Sequence, residues 1–334
     1  MILIDGLWYF GGNRERGIGR YLDYYFKEEF EVKREERIWL VPKSAPDRLV
    51  NELLAKYGGY SLIFDFVEPK PRQRELMSRY LTEKKISAVF LSSPFERPWS
   101  MLDFLPIIKE LDLSGSAVVF DLLPLQFPEE ILNKWTDEEQ LVYQERIKKL
   151  PLLDELLAIS PFTKTQLVER LKIPDKKITV LKFGLSDKWI QPPREVDLKW
   201  WREISNGRYV VTISGGEWRK NLAGTLKYFA RRYKNKNYSL LVICRLDRLE
   251  QWKYQILAWK LGINRQVKWL GFVDERLKWR LLAQAKVFLF LSLGEGLGIP
   301  LLEAKKAKVP EIVISKELAE AGFGDLVPGC KVAD

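Results

Sequence analysis

Short apolar runs alternate with amphipathic stretches along almost the whole of this 334-residue chain, and that alternation limits the folds open to it. Runs at 2–4, 38–41, 62–66, 88–91, 117–120, 156–159 and 178–181 read as buried strands. A second series follows at 209–213, 240–243, 267–270, 287–291 and 312–314. Between them, 47–56, 72–84, 161–172, 222–233, 249–261 and 275–285 carry helical periodicity. Strands that alternate with helices build parallel sheets covered on both faces. Residues 184–207 interrupt the pattern with Pro192-Pro193, several charges and Trp200-Trp201. The expectation is α/β, with Rossmann-like domains at 1–183 and 208–334 and a linker at 184–207.

The segment Gly294-Glu295-Gly296-Leu297-Gly298-Ile299-Pro300-Leu301-Leu302-Glu303 follows the apolar run VFLFL and opens a helix near Pro300. Its glycines let the backbone approach a ligand, and the helix start offers free N–H groups. Glu295 on the loop and Glu303 inside the helix could each grip a different set of hydroxyls, as binding of a sugar nucleotide requires.

Composition prunes the alternatives. Hydrophobic residues make up 46% and charged residues 30%, the balance of a folded globular chain. Histidine is absent, which excludes imidazole-dependent nucleophiles and histidine-ligated metals. The two cysteines, Cys244 and Cys330, make no disulfide framework and fit a reducing cytoplasm. No apolar run reaches the roughly 18 residues of a bilayer span, and the first residues lack the features of a signal peptide. A net charge of +10 calls for an anionic partner. The basic residues are scattered and match no nucleic-acid module, so no nucleic acid is expected. An anionic membrane surface fits better, either docked by a basic amphipathic helix of the first domain or left untouched by it.

The Gly294–Glu303 segment resembles the E-x7-E signature of the retaining glycosyltransferases of family 4, which have the GT-B fold. The resemblance implies two Rossmann-like domains facing across a cleft. It also implies Glu295 beside the transferred sugar and Glu303 on the ribose, with the amides of Gly296, Leu297 and Gly298 near the donor. Six further segments line up with the family in order. The glycine-rich loop DGLWYFGGNRERGIGRY puts Gly17 and Gly19 near a donor diphosphate. FDLLPL resembles the family's HDLIPL loop, with Phe120 where relatives carry His or Tyr, and leaves Asp121 to order the acceptor pocket. AISPFTK reads as a helix start with Ser160 as N-cap. KITVLKFGLS keeps only the frame of the segment where the family leaves its first domain. SGGEWRKN resembles the loop whose lysine meets the donor phosphates, which makes Lys220 the first candidate for leaving-group stabilisation and Arg219 the second. VKWLGFVD implies backbone contacts from Phe272 and Val273 at the nucleobase.

The resulting expectation is a retaining, metal-independent hexosyltransferase of the mannosyltransferase-like branch of bacterial polysaccharide assembly. Lys220, Glu295 and Asp121 would act at the reacting centre. The donor is a nucleotide-diphosphate sugar, with GDP-mannose the one the resemblance suggests, and no cofactor is needed. The acceptor is a glycan or lipid-linked glycan, and the setting is cytoplasmic or on the inner face of a membrane. Relatives continue past the point where this sequence stops, so the second domain is expected to lack its usual C-terminal helices. One alternative is a weak or inactive member that only binds a sugar nucleotide or glycan. A nicotinamide oxidoreductase is disfavoured because GGNRERGIG is not a dinucleotide fingerprint.

Overall fold

The structure, a computed structural model, describes residues 1–11, 14, 17–68, 70–95, 98–181 and 208–333. The chain divides into two compact units, Met1–Phe183 and Gly184–Asp334, each with its own sheet and core. The expected linker at 184–207 lies outside the described residues, as do the end of the KITVLKFGLS segment and part of the loop before Gly17.

In the first unit the strands are β1 (Ile2–Asp5), β2 (Arg37–Pro42), β3 (Tyr60–Phe64), β4 (Ala88–Leu91), β5 (Ser114–Val119), β6 (Glu155–Ala158) and β7 (Ile178–Val180). They pair in the order β3-β2-β1-β4-β5-β6-β7, every pair parallel. Strand β2 is buried along its whole length. Helices on both faces leave a parallel sheet no wet side, which is why these strands read as continuous apolar runs instead of alternating ones.

The second unit repeats the plan. Its strands are β8 (Tyr209–Ile213), β9 (Ser239–Ile243), β10 (Val267–Gly271), β11 (Val287–Phe290), β12 (Glu311–Ile314) and β13 (Lys331–Val332), in the order β10-β9-β8-β11-β12-β13. All pairs are parallel here as well. Parallel neighbours need a crossover, and Leu222–Tyr233, Arg248–Lys260, Glu275–Gln284 and Ile299–Lys306 supply the helices. Both units therefore show the order of a doubly wound fold, as expected.

Some elements escaped the sequence pattern, strand β13 and the helix Asp137–Lys149 among them. Strand β13 is two residues long and exposed, so it carries no apolar run to be recognised. The helix Asp137–Lys149 is mostly charged and buries only Tyr143 and Arg146.

Candidate functional site

Where the strand order of an open parallel sheet reverses, neighbouring crossovers leave on opposite faces and open a crevice at the carboxyl ends. In the second unit that point lies between β8 and β11. These strands are in register over only two pairs, Val287↔Val210 and Phe288↔Val211, and the loops beyond them carry the candidate residues.

The loop after β8 makes one tight turn at Trp218–Lys220 and ends on Asn221 in the left-handed region, φ 48°. Asn221 Oδ1 accepts the Gly224 N–H at 3.0 Å and so caps the next helix. This explains the asparagine after Arg219-Lys220: it fixes where the two cations stand. The Leu293 N–H donates to the Arg219 carbonyl at 2.7 Å, which ties the β8 loop to the β11 loop.

Across that tie the side chains converge. Lys220 Nζ donates to Glu295 Oε1 at 2.6 Å, and Arg219 Nη1 to Glu295 Oε2 at 3.1 Å. Arg219 also reaches the Gly294 carbonyl at 3.2 Å and Glu217 Oε2 at 2.7 Å. The Glu295 side chain is only 8% exposed, against 17% for Lys220 and 19% for Arg219. Burial pushes the Glu295 carboxyl up, but the Lys220 and Arg219 charges outweigh it, with hydrogen bonds from Lys220 and Ser292 adding to them. The net effect holds the group below the usual carboxylate range. The carboxylate is therefore anionic at neutral pH and faces two cations at the crevice.

Gly298 adopts φ 70° as the cap of the helix Ile299–Lys306, with Pro300 in its first turn. Only glycine takes that conformation freely, and it turns the chain so that the first helical N–H groups lie at the end of the sheet. Glu303 is placed differently from Glu295. It is 1% exposed, and its Oε1 accepts from Lys278 Nζ at 2.7 Å, a lysine shared with Glu275. Phe272 and Val273 sit on the loop after β10, two strands from β8 and at the same end of the sheet. Phe272 is 83% exposed.

In the first unit, Gly17 and Gly19 lie in the first turn of the helix Gly17–Tyr24. Asp121 follows β5, and its Oδ1 accepts the Leu123 N–H at 3.1 Å, the role of a turn cap. The Phe120 ring is buried edge-on to Tyr21, with centroids 5.7 Å apart, so this position packs and offers no side-chain hydrogen bond. Asp121 also lines a pocket of about 160 Å3 with Phe95, Trp135, Glu139, Tyr143 and Arg146. The Tyr143 ring lies 5.1 Å from Phe95 and 5.4 Å from Trp135. Its hydroxyl is buried with no hydrogen-bond partner among the described residues. Burial, and next the Asp121 charge, raise its pKa well above the ordinary phenol value.

The structure thus joins Lys220, Arg219 and Glu295 in one cluster and gives Glu303 a separate buried pair. Sequence reasoning missed Ser292, Lys278 and the Tyr143 pocket. For the pocket a signal existed: Thr136 and Glu139 form a capping box that announces the helix carrying Glu139, Tyr143 and Arg146. Lys278 carried no signal, because its partner is 25 residues away.

Residues 195–330 match the family model of glycosyl transferases, group 1. The serotype-specific mannosyltransferase WbdA of Escherichia coli is 32% identical over 119 residues, covering 33% of this chain and 14% of that protein. The O-antigen chain mannosyltransferase B of Escherichia coli is 27% identical over 164 residues, 47% of this chain and 42% of that protein. The matched stretches thus span less than half the length of either relative. Among solved structures, Anabaena Alr3699/HepE in complex with UDP superposes with a TM-score of 0.68 at 12% identity, covering 94% of this chain and 80% of that one. At that identity the likeness shows the fold, and the GT-B class expected from the sequence is the class observed.

Proposed function

We propose that this protein is a glycosyltransferase that moves a hexosyl group, mannosyl by preference, from a nucleotide-diphosphate sugar to a glycan or lipid-linked glycan. The observation that carries this reading is the Lys220–Glu295–Arg219 cluster at the switch point of the second sheet. A sugar diphosphate brings two kinds of group to such a place. Its phosphates need cations, and its hydroxyls need a fixed acceptor. Lys220 and Arg219 supply the first, and Glu295 the second.

In the reaction the bond between the anomeric carbon and the diphosphate oxygen breaks, and negative charge grows on the leaving diphosphate. An ammonium already held in position stabilises that charge without reorganisation. Lys220 would exchange one Glu295 oxygen for a phosphate oxygen, and the released carboxylate oxygen would accept a sugar hydroxyl. Side-chain cations do this work, so no metal is invoked. Retention follows if the acceptor oxygen bonds the anomeric carbon on the face the diphosphate leaves while the departing phosphate oxygen takes the acceptor hydroxyl's proton, which needs no imidazole. Glu303 on the ribose, and Phe272 and Val273 at the base, remain part of the proposal, as does GDP-mannose as donor. The group 1 match and the two mannosyltransferase relatives support this reading.

In the first unit, the Phe95–Trp135–Tyr143 box with Asp121, Glu139 and Arg146 is the acceptor pocket we propose. Aromatic faces suit sugar C–H surfaces, and the polar groups suit hydroxyls. The test is turnover of a panel of nucleotide sugars with and without EDTA, the product anomer being read by NMR. Loss of transfer in Lys220→Ala and Glu295→Ala supports the assignment, and unchanged turnover refutes it. Donor binding in calorimetry without any product would point instead to a binding protein.

A further inference from the structure

The helix Arg248–Lys260 is apolar on two faces, and its own unit covers only one. Tyr254 and Ala258 are buried in the core of the second unit, with Leu257 and Leu261 packed against it. The other face stays open: Leu249 is 79% exposed, Trp252 64% and Trp259 69%. At roughly 100° per residue, Leu249, Trp252, Ile256 and Trp259 share an arc of about 80°. Lys253 and Lys260 flank one edge of that arc and Arg248 the other, all three exposed. Two exposed tryptophans on one helix are an expensive surface for water, since each presents a large apolar area.

We infer that this face is a docking surface for an anionic lipid bilayer, with Leu249, Trp252 and Trp259 entering the headgroup region and Arg248, Lys253 and Lys260 meeting lipid phosphates. Charge complementarity chooses the occupant. An apolar stripe edged by cations on both sides is the pattern of a helix lying in a membrane interface, where tryptophan is favoured and long basic side chains reach out to headgroups. A purely apolar partner would leave the three flanking charges without counter-ions.

The other candidate for this role fails on packing. The basic helix Lys70–Glu83 of the first unit spends its apolar residues inside: Met77 and Leu81 are buried in that unit's core, and Leu76 and Tyr80 pack against it. It has charge left for a membrane but no apolar face. Among the described residues no helix is long and apolar enough to cross a membrane, so the attachment inferred here is to the surface.

The experiment is sedimentation of the full chain with vesicles of phosphatidylcholine alone or with 30% phosphatidylglycerol, at low and high salt. Three proteins are compared: wild type, Trp252→Ser/Trp259→Ser and Lys253→Glu/Lys260→Glu. Circular dichroism and melting serve as folding controls, and hydrolysis of a soluble nucleotide sugar as an activity control. Expected are binding of wild type to the anionic vesicles, weakened by salt, and a loss of at least tenfold in each double variant with fold and hydrolysis unchanged. Equal binding by wild type and the tryptophan variant, or no binding to anionic vesicles at all, overturns the inference. So does a wild-type dimer that the tryptophan substitutions convert to monomer without changing vesicle binding.

Discussion

Lys220 and Glu295, 75 residues apart in sequence, meet at 2.6 Å because their loops leave the adjacent strands β8 and β11 at the same end of one sheet. A largely buried ion pair is a poor device for stability, since desolvation offsets much of the attraction. Its value lies in holding both groups in place before a ligand arrives. Lys220→Met should therefore lower kcat/KM for transfer by about 100-fold or more, the usual cost of losing one preorganised charge-stabilising group. Arg219→Met should cost less, since its guanidinium is also engaged by Glu217 and the Gly294 carbonyl. Steady-state kinetics of the two variants, with donor affinity measured separately, decide the ranking.

The same cluster fixes a pH signature. The Glu295 carboxyl is depressed below its ordinary 4.5, so the folded protein holds this proton less tightly than the unfolded chain does. Its contribution to stability is then fully present above about pH 5 and shrinks as pH falls through the folded-state value. The stability difference between wild type and Glu295→Gln should be flat from pH 5 to 8 and close below pH 4. Urea midpoints at pH 3, 5 and 7 measure it. A difference that grows on acidification would contradict the ion pair.

The fold was legible because parallel strands covered on both faces must be apolar along their length, as Val287–Phe290 are, and because Asn221, Ser160 and Gly298 sit where helix starts need them. The meeting of Lys220 and Glu295 was legible only through family likeness. Nothing local in either segment states that β8 and β11 are neighbours. Lys278 stayed hidden for the same reason, since its partner Glu303 lies on the next helix and both are buried. Tyr143 escaped because its helix is charged on its outer face and shows little apolar periodicity. Trp252 and Trp259 are exposed although burial is the ordinary fate of tryptophan, and sequence pattern alone does not tell two apolar helix faces apart.

Lys278 and Glu303 give a test that separates structure from ligand binding. Their side chains are 7% and 2% exposed, and removing one partner leaves the other charge buried. Lys278→Met should cost about 3–5 kcal/mol, and Lys278→Met/Glu303→Leu should recover much of that loss. Chemical denaturation of the two single variants and the pair gives the coupling. If Glu303 also holds the ribose, the double variant should be stable yet bind nucleotide at least tenfold more weakly. Recovery of both stability and nucleotide affinity would restrict Glu303 to a packing role.

Tyr143 makes the opposite prediction for stability and function. Its buried hydroxyl lacks a hydrogen-bond partner among the described residues and lines the pocket that Asp121 also borders. An unsatisfied buried hydroxyl costs about 1–3 kcal/mol, so Tyr143→Phe should leave the protein as stable or stabilise it by about 1 kcal/mol. The ring contacts with Phe95 and Trp135 survive that change, which keeps the pocket's shape. If the hydroxyl is kept for an acceptor sugar, the same variant should raise KM for acceptor several-fold and leave donor hydrolysis untouched. Melting curves and acceptor titrations on one preparation measure both effects. A variant that is destabilised and binds acceptor normally would mean that the hydroxyl serves the fold, for instance through a bound water, and that the acceptor lies elsewhere.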